Sequence, residues 1–439
     1  MTSSITLPPA GPYTLASARL HGALTPGLRR QPDGDGFVGC DLLVSEGHIA
    51  RIAPPGAVPR GGETLDLAGR VVLPAFVDCH THLDKGHISP RKPNPNGTFE
   101  AALQTAGEDR AARWTADDLR RRMDFSLRSA HAHGTVAIRT HLDSIAPQDE
   151  ISWPVFQEMR EEWRGRIILQ AACLAGIDLY RDAAWFNALV RRVKEAGGVL
   201  GAVTWMLPDL DALLDRMFVS ASEHGLDLDF HVDETSDPAS VSLRHIAEAA
   251  IRHRFAGKIL CGHCCSLAQQ ADGEADRTLD LVARADIAVV SLPLCNLYLQ
   301  DRRADGTTPR WRGVTLLHEM KARGITVAVA SDNTRDPFHA YGDLDMLEVF
   351  RAATRVAHLD HPFGDWIAAA TATPARIMGL DGFGILRESD PADFVILKGR
   401  RWTEVLARPE ADRIVVRGGR TIARTLPDYS ELDDLMGAA

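Results

Sequence analysis

The stretch Leu73–Asp84 reads LPAFVDCHTHLD, an apolar run that ends in two imidazoles, His80 and His82. Side chains two residues apart on a β-strand point to the same side, so this pair aims two nitrogen ligands at one point. Imidazole nitrogen suits a divalent transition metal. The stretch therefore predicts a buried strand with part of a metal site at its C-terminal end, although a lone His-x-His is a weak signal until other ligands are found.

Similar apolar strand segments recur through residues 71–380, where they alternate with amphipathic helices. The predicted strands are 73–80, 135–143, 166–176, 199–208, 226–234, 258–267, 287–296 and 325–333. About eight β–α units in some 300 residues indicate an α/β fold of the (β/α)8 TIM barrel type. A doubly wound open sheet is the alternative, and it is weakened because no Gly-rich GxGxxG turn follows an early strand.

The two ends of the chain share a different sequence pattern. Residues 1 to about 70 read as short strands separated by Gly and Pro turns, and 392–399 and 411–424 resume this pattern. Two β-rich ends that bracket a different middle suggest one structural unit. We therefore predict a small β-sandwich domain built from residues 1–70 and 381–439, beside a catalytic domain of residues 71–380.

Composition excludes several classes of function. The 439 residues carry a formal net charge of −10 with both signs interspersed, which argues against a nucleic-acid or anionic-membrane surface. No apolar run approaches the roughly 20 residues that span a bilayer, and residues 1–17 lack the pattern of a signal peptide. The seven cysteines are odd in number and lie in apolar runs, so we expect reduced thiols in a cytoplasmic protein.

Polar side chains fall at the C-terminal ends of the predicted strands, where (β/α)8 barrels carry their chemistry. The first strand ends in His80 and His82, the fifth carries His231, and the eighth ends in a segment that contains Asp332. Three imidazoles and one carboxylate, with a position left open for water, make a catalytic divalent site rather than a closed structural one. We therefore predict His80, His82, His231 and Asp332 as metal ligands.

Two further strand-end residues are candidates for proton transfer. Glu234 lies three residues past His231, where a carboxylate can reach bound water or substrate without binding the metal. We predict it as the proton shuttle. His263, at the end of the sixth strand, is either a fourth imidazole ligand or the group that orients the bound hydroxide, and we favour the second role. Asp332 is also placed to accept the proton of that water.

These residues resemble the amidohydrolase superfamily, and specifically its cytosine-deaminase-like branch. The resemblance covers nearly the whole chain and rests on the motifs LPAFVDCHTHLDK, RTHLD, HVDE, GHCCSL and SDNTRDPF. It implies one Zn²⁺ or Fe²⁺ ion and hydrolytic removal of an exocyclic amino group from a ring. It assigns metal ligation to the four residues predicted above, the proton shuttle to Glu234 and steering of the attacking water to His263. The fourth strand offers no lysine, which fits the mononuclear members.

The sequence departs from cytosine deaminases where those enzymes contact the ring. The glutamine expected just after the third strand is absent from 174–177, Asn333 stands in place of a second aspartate, and Phe338 stands in place of a tryptophan. Lys85 directly follows HLD and is expected to meet a carbonyl or an anionic group of the substrate. The predicted substrate contacts are Lys85, His141, Trp205, Asn333 and Phe338.

The leading functional prediction is a metal-dependent hydrolase of non-peptide carbon–nitrogen bonds that releases ammonia from a nitrogen heterocycle. The ring is left open between a cytosine-like pyrimidine, a purine, a pterin and a related ring. The alternative is an amidohydrolase of the same fold that opens a cyclic amide or removes an N-alkyl amino group. A catalytically inactive barrel would lack ligands, and all of the expected ligands are present. The expected partners are the small-molecule substrate and water, and the resemblance implies a homo-oligomer.

Overall fold

The computed structural model describes residues 6–8, 11–58, 62–408 and 413–437. The residues before position 75 form short strands, as their turn-rich sequence predicts. These strands are β1 (Tyr13–His21), β2 (Phe37–Ser45), β3 (His48–Ala53), β4 (Glu63–Asp66) and β5 (Val71–Pro74). Antiparallel pairing joins β1 to β2 and β2 to β3, while β1 pairs in parallel with β4 and β5. Residues 1–5 and 9–10, part of the segment 1–17 in which no signal-peptide pattern was found, lie outside the described residues.

Eight further strands follow, one in each segment predicted from the apolar runs. They are β6 (Phe76–Thr81), β7 (Thr135–Asp143), β8 (Ile168–Leu174), β9 (Leu200–Thr204), β10 (Leu228–Val232), β11 (Ile259–His263), β12 (Ala288–Ser291) and β13 (Val327–Val329). They form a sheet of order β6-β7-β8 and a sheet of order β13-β12-β11-β10-β9, and the recorded pairings between neighbours are parallel. Every residue of β6 and β7 is buried, as expected for strands covered on both faces.

Backbone hydrogen bonds also link the two parallel sheets at both edges. The amide of Val203 donates to the carbonyl of Ala175 over 2.9 Å, next to β8 and within β9. At the other edge, the amide of His82 donates to the carbonyl of Asp332 over 3.2 Å, and the amide of Asp332 donates to the carbonyl of His80 over 2.9 Å. The end of β6 is therefore held directly against the segment that follows β13.

The C-terminal strands return to the sheet of the N-terminal strands. They are β14 (Phe394–Leu397), β15 (Arg413–Arg417) and β16 (Arg420–Thr421). Antiparallel pairing of β14 with β5 completes an eight-stranded sheet of order β16-β15-β14-β5-β1-β2-β3, with β4 paired to β1. The hydroxyl of Tyr13 donates to the carbonyl of Gly419 over 2.8 Å. The two ends of the chain thus share one sheet and one apolar core.

Helices separate the parallel strands. They are α1 (Phe99–Arg113), α2 (Ala116–His133), α3 (Asp149–Glu162), α4 (Ala183–Glu195), α5 (Leu210–His224), α6 (Ser242–His253), α7 (Asp272–Arg284), α8 (Pro293–Leu299), α9 (Leu317–Ala322), α10 (Met346–Ala357), α11 (Ala372–Ile377), α12 (Trp402–Val405) and α13 (Asp433–Met436). Parallel strands alternating with helices confirm the predicted α/β class. No helix within the described ranges combines the length and the apolar content that a bilayer crossing demands.

Helices α1 and α8 were not expected from the sequence. Helix α1 begins after Thr98, whose side chain caps it by accepting from the amide of Ala101. Helix α8 begins at Pro293, inside the segment predicted as a strand to residue 296. Proline is favoured in the first turn of a helix because its missing N–H is not needed there. The apolar run of β12 therefore ends at Ser291.

The chain divides into two compact units. The first comprises Met1–Val77, Ser129–Val136 and Asp345–Leu426, and the second comprises Asp78–Arg128, Ala137–Leu344 and Pro427–Ala439. Relative to the predicted domains, the first unit also takes in 71–77, Ser129–Val136 and 345–380, whereas Pro427–Ala439 falls in the second unit. Side chains buried between the strands of the first unit, such as Leu15, Leu42, Phe394 and Val416, form its core.

One buried ion pair holds the added segments of the first unit together. The guanidinium of Arg413 donates to both carboxylate oxygens of Asp345 over 2.8 and 2.6 Å, and to the carbonyl of His133 over 3.0 Å. The side chains of Arg413 and Asp345 are 1% and 9% exposed. Burial alone would raise the pKa of Asp345, but the charge of Arg413 lowers it below its ordinary value. The carboxylate is therefore ionised and needs its partner.

Replacing Arg413 by Ala is expected to destabilise the first unit by about 3–5 kcal/mol, because the ionised carboxylate of Asp345 is left buried without a counter-charge. Thermal unfolding followed by circular dichroism measures the loss as a lower midpoint. Arg400→Ala is the matched control, because Arg400 pairs with Glu404 at the surface, where their side chains are 61% and 38% exposed. Equal midpoints for the two variants would contradict the importance of the buried pair.

Candidate active site

The predicted metal ligands meet at one edge of the parallel strands. His80 lies in β6 and His82 directly follows it, His231 lies in β10, and Asp332 follows β13 by three residues. His263 is the last residue of β11. The carboxyl ends of parallel strands lie at one edge, so residues far apart in sequence come together there. All five side chains are buried.

The separations within this cluster match those of ligands around a single ion. Nε2 of His82 lies 3.2 Å from Nε2 of His231 and 3.2 Å from Oδ1 of Asp332, and Nε2 of His80 lies 3.5 Å from the same oxygen. Ligand atoms at about 2.05 Å from a tetrahedral zinc ion are roughly 3.3 Å apart. These three separations are those that one divalent ion requires, and one atom from each of His80, His231, His263 and Asp332 lies within 4.8 Å of the others.

Unpaired polar atoms give an independent test of this fit. Both nitrogens of His80 and both carboxylate oxygens of Asp332 are buried and make no hydrogen bond. Burial, followed by repulsion from neighbouring imidazoles and Lys85, holds the pKa of His80, His82 and His231 well below its ordinary value. The imidazoles are therefore neutral, which is the form that binds a metal. A divalent cation would satisfy lone pairs that are otherwise unsatisfied.

Backbone conformation at two strand ends turns these side chains inward. His263 has φ 68° and Asp332 has φ 61°, both in the left-handed region that non-glycine residues adopt at a cost. Asp233, with φ 48°, accepts hydrogen bonds from the amides of Ser242 and Leu243, each over 3.0 Å, and so holds the start of α6. Because Asp233 is tied to α6, the next residue, Glu234, is free to face the cavity.

Glu234 and His263 form a hydrogen-bonded group with a residue that the sequence did not single out. The side-chain amide of Asn296, on α8, donates to Oε1 of Glu234 over 3.1 Å and lies 3.1 Å from Nδ1 of His263. Oε1 of Glu234 is 3.4 Å from the same imidazole nitrogen. Burial, with a smaller effect of the Asp332 charge, raises the pKa of Glu234 well above its ordinary value, and burial lowers the pKa of His263 to about 4. Burial thus favours the protonated form of the carboxyl group and the neutral form of the imidazole, and the two lie side by side.

A cavity of about 500 Å³ opens over this cluster. Its wall includes His82, His231, His263, Asp332 and Glu234, together with four of the predicted substrate contacts. These four are Lys85, Trp205, Asn333 and Phe338. Helix α1 contributes Phe99, Leu103, Ala106, Gly107 and Arg110, which share one helical face. Polar reactive groups at the bottom and apolar walls above them are typical of a small-molecule site.

Lys85 is held in the cavity wall by an ion pair. Its ammonium donates to Oδ1 of Asp143 over 2.8 Å, while Arg110 donates to Oδ2 of the same carboxylate over 2.6 Å. Burial alone would lower the pKa of Lys85, but the charges of Asp143 and Asp84 raise it above its ordinary value. The ammonium is charged and retains two N–H groups beyond the one that Asp143 accepts. It can therefore donate to an oxygen of a bound ring.

His141 lies in the cluster but is not among the residues that line the cavity. Its ring centroid is 4.1 Å from that of His80, and its Nε2 is 3.1 Å from Oδ1 of Asp229. Arg139 donates to Oδ2 of the same carboxylate over 3.0 Å. One nitrogen from each of His80, His82, His141 and His231 also lies within 4.8 Å of the others. His141 therefore packs beside the predicted ligands, away from the space that a ring would occupy.

Residues 63–167 and 168–423 match the sequence profile of the amidohydrolase family. The chain belongs to the amidohydrolase family. The amidohydrolase is 51% identical over 439 residues to a pterin deaminase of Rhizobium rhizogenes, covering 100% of both chains. It is 23% identical over 374 residues to an N-isopropylammelide isopropyl amidohydrolase of Pseudomonas sp. strain ADP, covering 82% of this chain and 88% of the relative.

A solved structure shares the fold of this amidohydrolase. The structure of 5-methylcytosine deaminase from Klebsiella pneumoniae has a TM-score of 0.81 at 23% identity, covering 95% of this chain and 98% of that one. Together, these findings confirm the predicted superfamily and the predicted hydrolase of carbon–nitrogen bonds. A divalent metal is the cofactor expected in this family, and the structure supplies a cluster of imidazoles and a carboxylate that fits it.

The amidohydrolase carries functional candidates that sequence reasoning missed. Asn296 was assigned to a strand end with no role, although Pro293 signals the start of the helix that carries it. Gly262 went unnoticed between Cys261 and His263, yet a Cβ built at this position would lie 2.8 Å from Cε1 of His80. The pairing of Asp143 with Lys85 and Arg110 has no local signal, because 58 and 33 residues separate the partners.

Gly262→Ala is expected to displace the His80 imidazole, because the new Cβ would lie 2.8 Å from Cε1 and 3.2 Å from Nδ1 of that ring. Loss of ligand orientation typically lowers metal affinity by about 10- to 100-fold. Titration with zinc under competition from a chelator measures the change. Gly39→Ala is the control, because a Cβ there meets nothing within 4 Å. An unchanged affinity in the Gly262 variant would show that His80 does not bind the metal.

Asn296→Ala is expected to lower turnover by about 10- to 100-fold, since Glu234 and His263 lose the amide that holds them together. The metal content should stay as in the wild type, because Asn296 contacts none of the predicted ligands among the bonds recorded for it. Steady-state ammonia release and metal analysis on one preparation separate the two effects. The exposed Asn187→Ala serves as control, and a wild-type rate for Asn296→Ala would refute a positioning role.

Proposed function

We propose that this amidohydrolase is a metal-dependent pterin deaminase, which replaces the exocyclic amino group of a pterin-type ring by oxygen and releases ammonia. The observation that carries the choice of ring is the 51% identity to a pterin deaminase over the full length of both chains. The predicted class of reaction, hydrolytic deamination of a nitrogen heterocycle, is confirmed by that relative. Cytosine itself is not favoured, because no glutamine stands at 174–177.

His80, His82, His231 and Asp332 are the proposed ligands of one Zn²⁺ or Fe²⁺ ion. The spacing of their atoms, between 3.2 and 3.5 Å for the recorded pairs, supports this set. A divalent ion bound there would polarise a water molecule and lower its pKa from 15.7 towards roughly 7. With three nitrogen ligands and one oxygen ligand, the water would be a fifth ligand, a coordination number that catalytic sites can reach.

Glu234 is the proposed proton carrier of the reaction. Its protonated carboxyl group, held by Asn296, gives its proton to the ring nitrogen beside the reacting carbon, and the resulting carboxylate takes a proton from the attacking water. The carbon–oxygen bond forms as that carbon becomes tetrahedral, and His263 donates to or accepts from the new oxygen. Glu234 then passes the proton taken from water to the amino group, and the carbon–nitrogen bond breaks to release ammonia. The proton of the new hydroxyl returns to Glu234 as the carbonyl group forms.

The remaining cavity residues are proposed to bind the ring. Lys85 donates to the ring carbonyl, a role supported by its free N–H groups and its fixed position against Asp143. Phe338 packs against the ammonium of Lys85, whose nitrogen is 5.6 Å from the ring centroid, and Trp205 lines the same cavity. Asn333 donates to Asp336 over 2.8 Å and lines the same space. His141 is better placed to support His80 than to touch the ring.

We also propose the finer architecture of the chain. The order of the parallel strands and the backbone bonds at both sheet edges support a (β/α)8 TIM barrel. The eight-stranded sheet shared by both ends supports the small β domain, here proposed as a β-sandwich. The compact units suggest that 129–136 and 345–380 belong with the terminal strands rather than with the catalytic domain. A cytoplasmic location and a homo-oligomeric state stay predictions.

Protein loaded with Fe²⁺ or Zn²⁺ is expected to release ammonia from pterin, and Glu234→Gln is expected to lower that rate by about 10²–10⁴-fold with metal content unchanged. The reason is that an amide cannot carry the transferred proton. Ammonia is measured by a coupled assay, and mass spectrometry identifies the product ring. Removal of the metal by a chelator should abolish turnover, and its return should restore it.

Glu248→Gln, an exposed substitution on α6, is the matched control for this experiment. A wild-type rate for Glu234→Gln would contradict the proton-carrier assignment. Release of an alkylamine from an N-alkyl ring, with no ammonia from pterin, would favour the alternative suggested by the N-isopropylammelide relative. An active protein that stays metal-free after chelation would overturn the metal assignment.

A further inference from the structure

The cavity of the proposed active site has an apolar mouth above its polar floor. Leu103, Leu179 and Trp205 line the same cavity as the reactive groups and are 57%, 37% and 38% exposed, whereas His263 is 2% exposed. The difference in exposure places these three side chains at the opening; we call them the mouth rim. Large apolar side chains gathered at the opening of a cavity mark a surface that is covered when a ligand binds.

The size of the cavity exceeds what a bare ring needs. A pterin ring without substituents occupies roughly 150 Å³ at the packing density of organic solids, against a cavity of about 500 Å³. Its amino-bearing carbon must lie beside Glu234 and His263 for the reaction to occur. The opposite ring edge therefore points toward the mouth rim, with most of the volume still to be filled.

The Trp205 indole packs closely against a glycine, Gly176. A Cβ built on Gly176 would lie 2.5 Å from Cη2 and 3.1 Å from Cζ2 of the Trp205 indole, so the indole lies directly on the backbone after β8. Gly176 belongs to the segment 174–177, where no ring-binding glutamine is present. The Trp205 indole occupies this position instead, beside the carboxylate of Asp178, whose Oδ1 would lie 2.6 Å from the same Cβ. The flat face of the indole suits a planar apolar group.

We propose that the mouth rim binds an apolar, flat substituent on the ring edge remote from the amino group, and that rings carrying such a substituent are the preferred substrates. This inference rests on the pterin deaminase function proposed above. Leu103 comes from α1, Leu179 follows β8 and Trp205 follows β9. Three separate elements thus supply one apolar opening, and a planar aryl group can pack against Trp205 with favourable ring geometry.

The test compares pterin with a pterin that carries a phenyl group at the remote ring edge. For metal-loaded wild-type protein, kcat/KM for ammonia release is expected to be at least tenfold higher with the phenyl-substituted ring. Trp205→Ala and Leu103→Asn, at exposed positions on two different elements, should each reduce this preference at least fivefold through a higher KM for the substituted ring. Met206→Ala is the matched control, because Met206 is 40% exposed beside Trp205 but is not among the cavity-lining residues.

The measured substrate preferences either support or overturn the proposed role of the mouth rim. An equal or lower kcat/KM for the substituted ring in the wild type overturns it, as does a preference that survives both rim substitutions. If the rim variants change the molar mass in light scattering and leave the preference intact, the rim contacts a second copy of the chain and the inference is wrong. Ammonia release from pterin alone, without preference, leaves the pterin deaminase function standing, whereas no release from either ring refutes that function and this inference with it.

Discussion

The structure depends on bringing lone pairs of neutral imidazoles and a carboxylate together at a buried point. Nε2 of His82 faces Nε2 of His231 at 3.2 Å, and both oxygens of Asp332 are buried without a hydrogen bond. Buried polar groups in this state cost free energy unless a partner is supplied. A divalent cation held by the proposed ligands would satisfy these groups together, and the free energy of its binding would offset the cost of burying them.

A few hydrogen bonds also fix the geometry on the catalytic side of the cavity. Asp233 caps α6 and fixes the backbone from which Glu234 extends, while Asn296 places one amide between Glu234 and His263. Neither residue needs to react for the geometry to matter. Burial favours the neutral forms of both Glu234 and His263, so the pair places little charge in the low-dielectric site before the reaction begins.

The sequence specified the features with a local signal. The apolar runs located all eight parallel strands, and the polar residues at their ends gave every member of the cluster, because the topology brings those ends together. Helix α1 was missed because small residues such as Ala102 and Ala106 form its buried side and give a weak periodic pattern. Asn296 was missed because the apolar run of β12 continues without a break into α8. The Lys85–Asp143 pair could not be read at all, since only the folded chain brings its partners together.

Helix α1 has a consequence for how such an enzyme can change. One of its faces is anchored through Asp109, whose carboxylate accepts from the indole of Trp114 over 2.8 Å and pairs with Arg91. Another face, which includes Phe99, Leu103 and Arg110, looks into the cavity. None of the proposed metal ligands lies on it. Residues on the cavity face of α1 can therefore change under selection while the residues proposed for hydrolysis stay the same. A new substrate preference can then arise without an inactive intermediate.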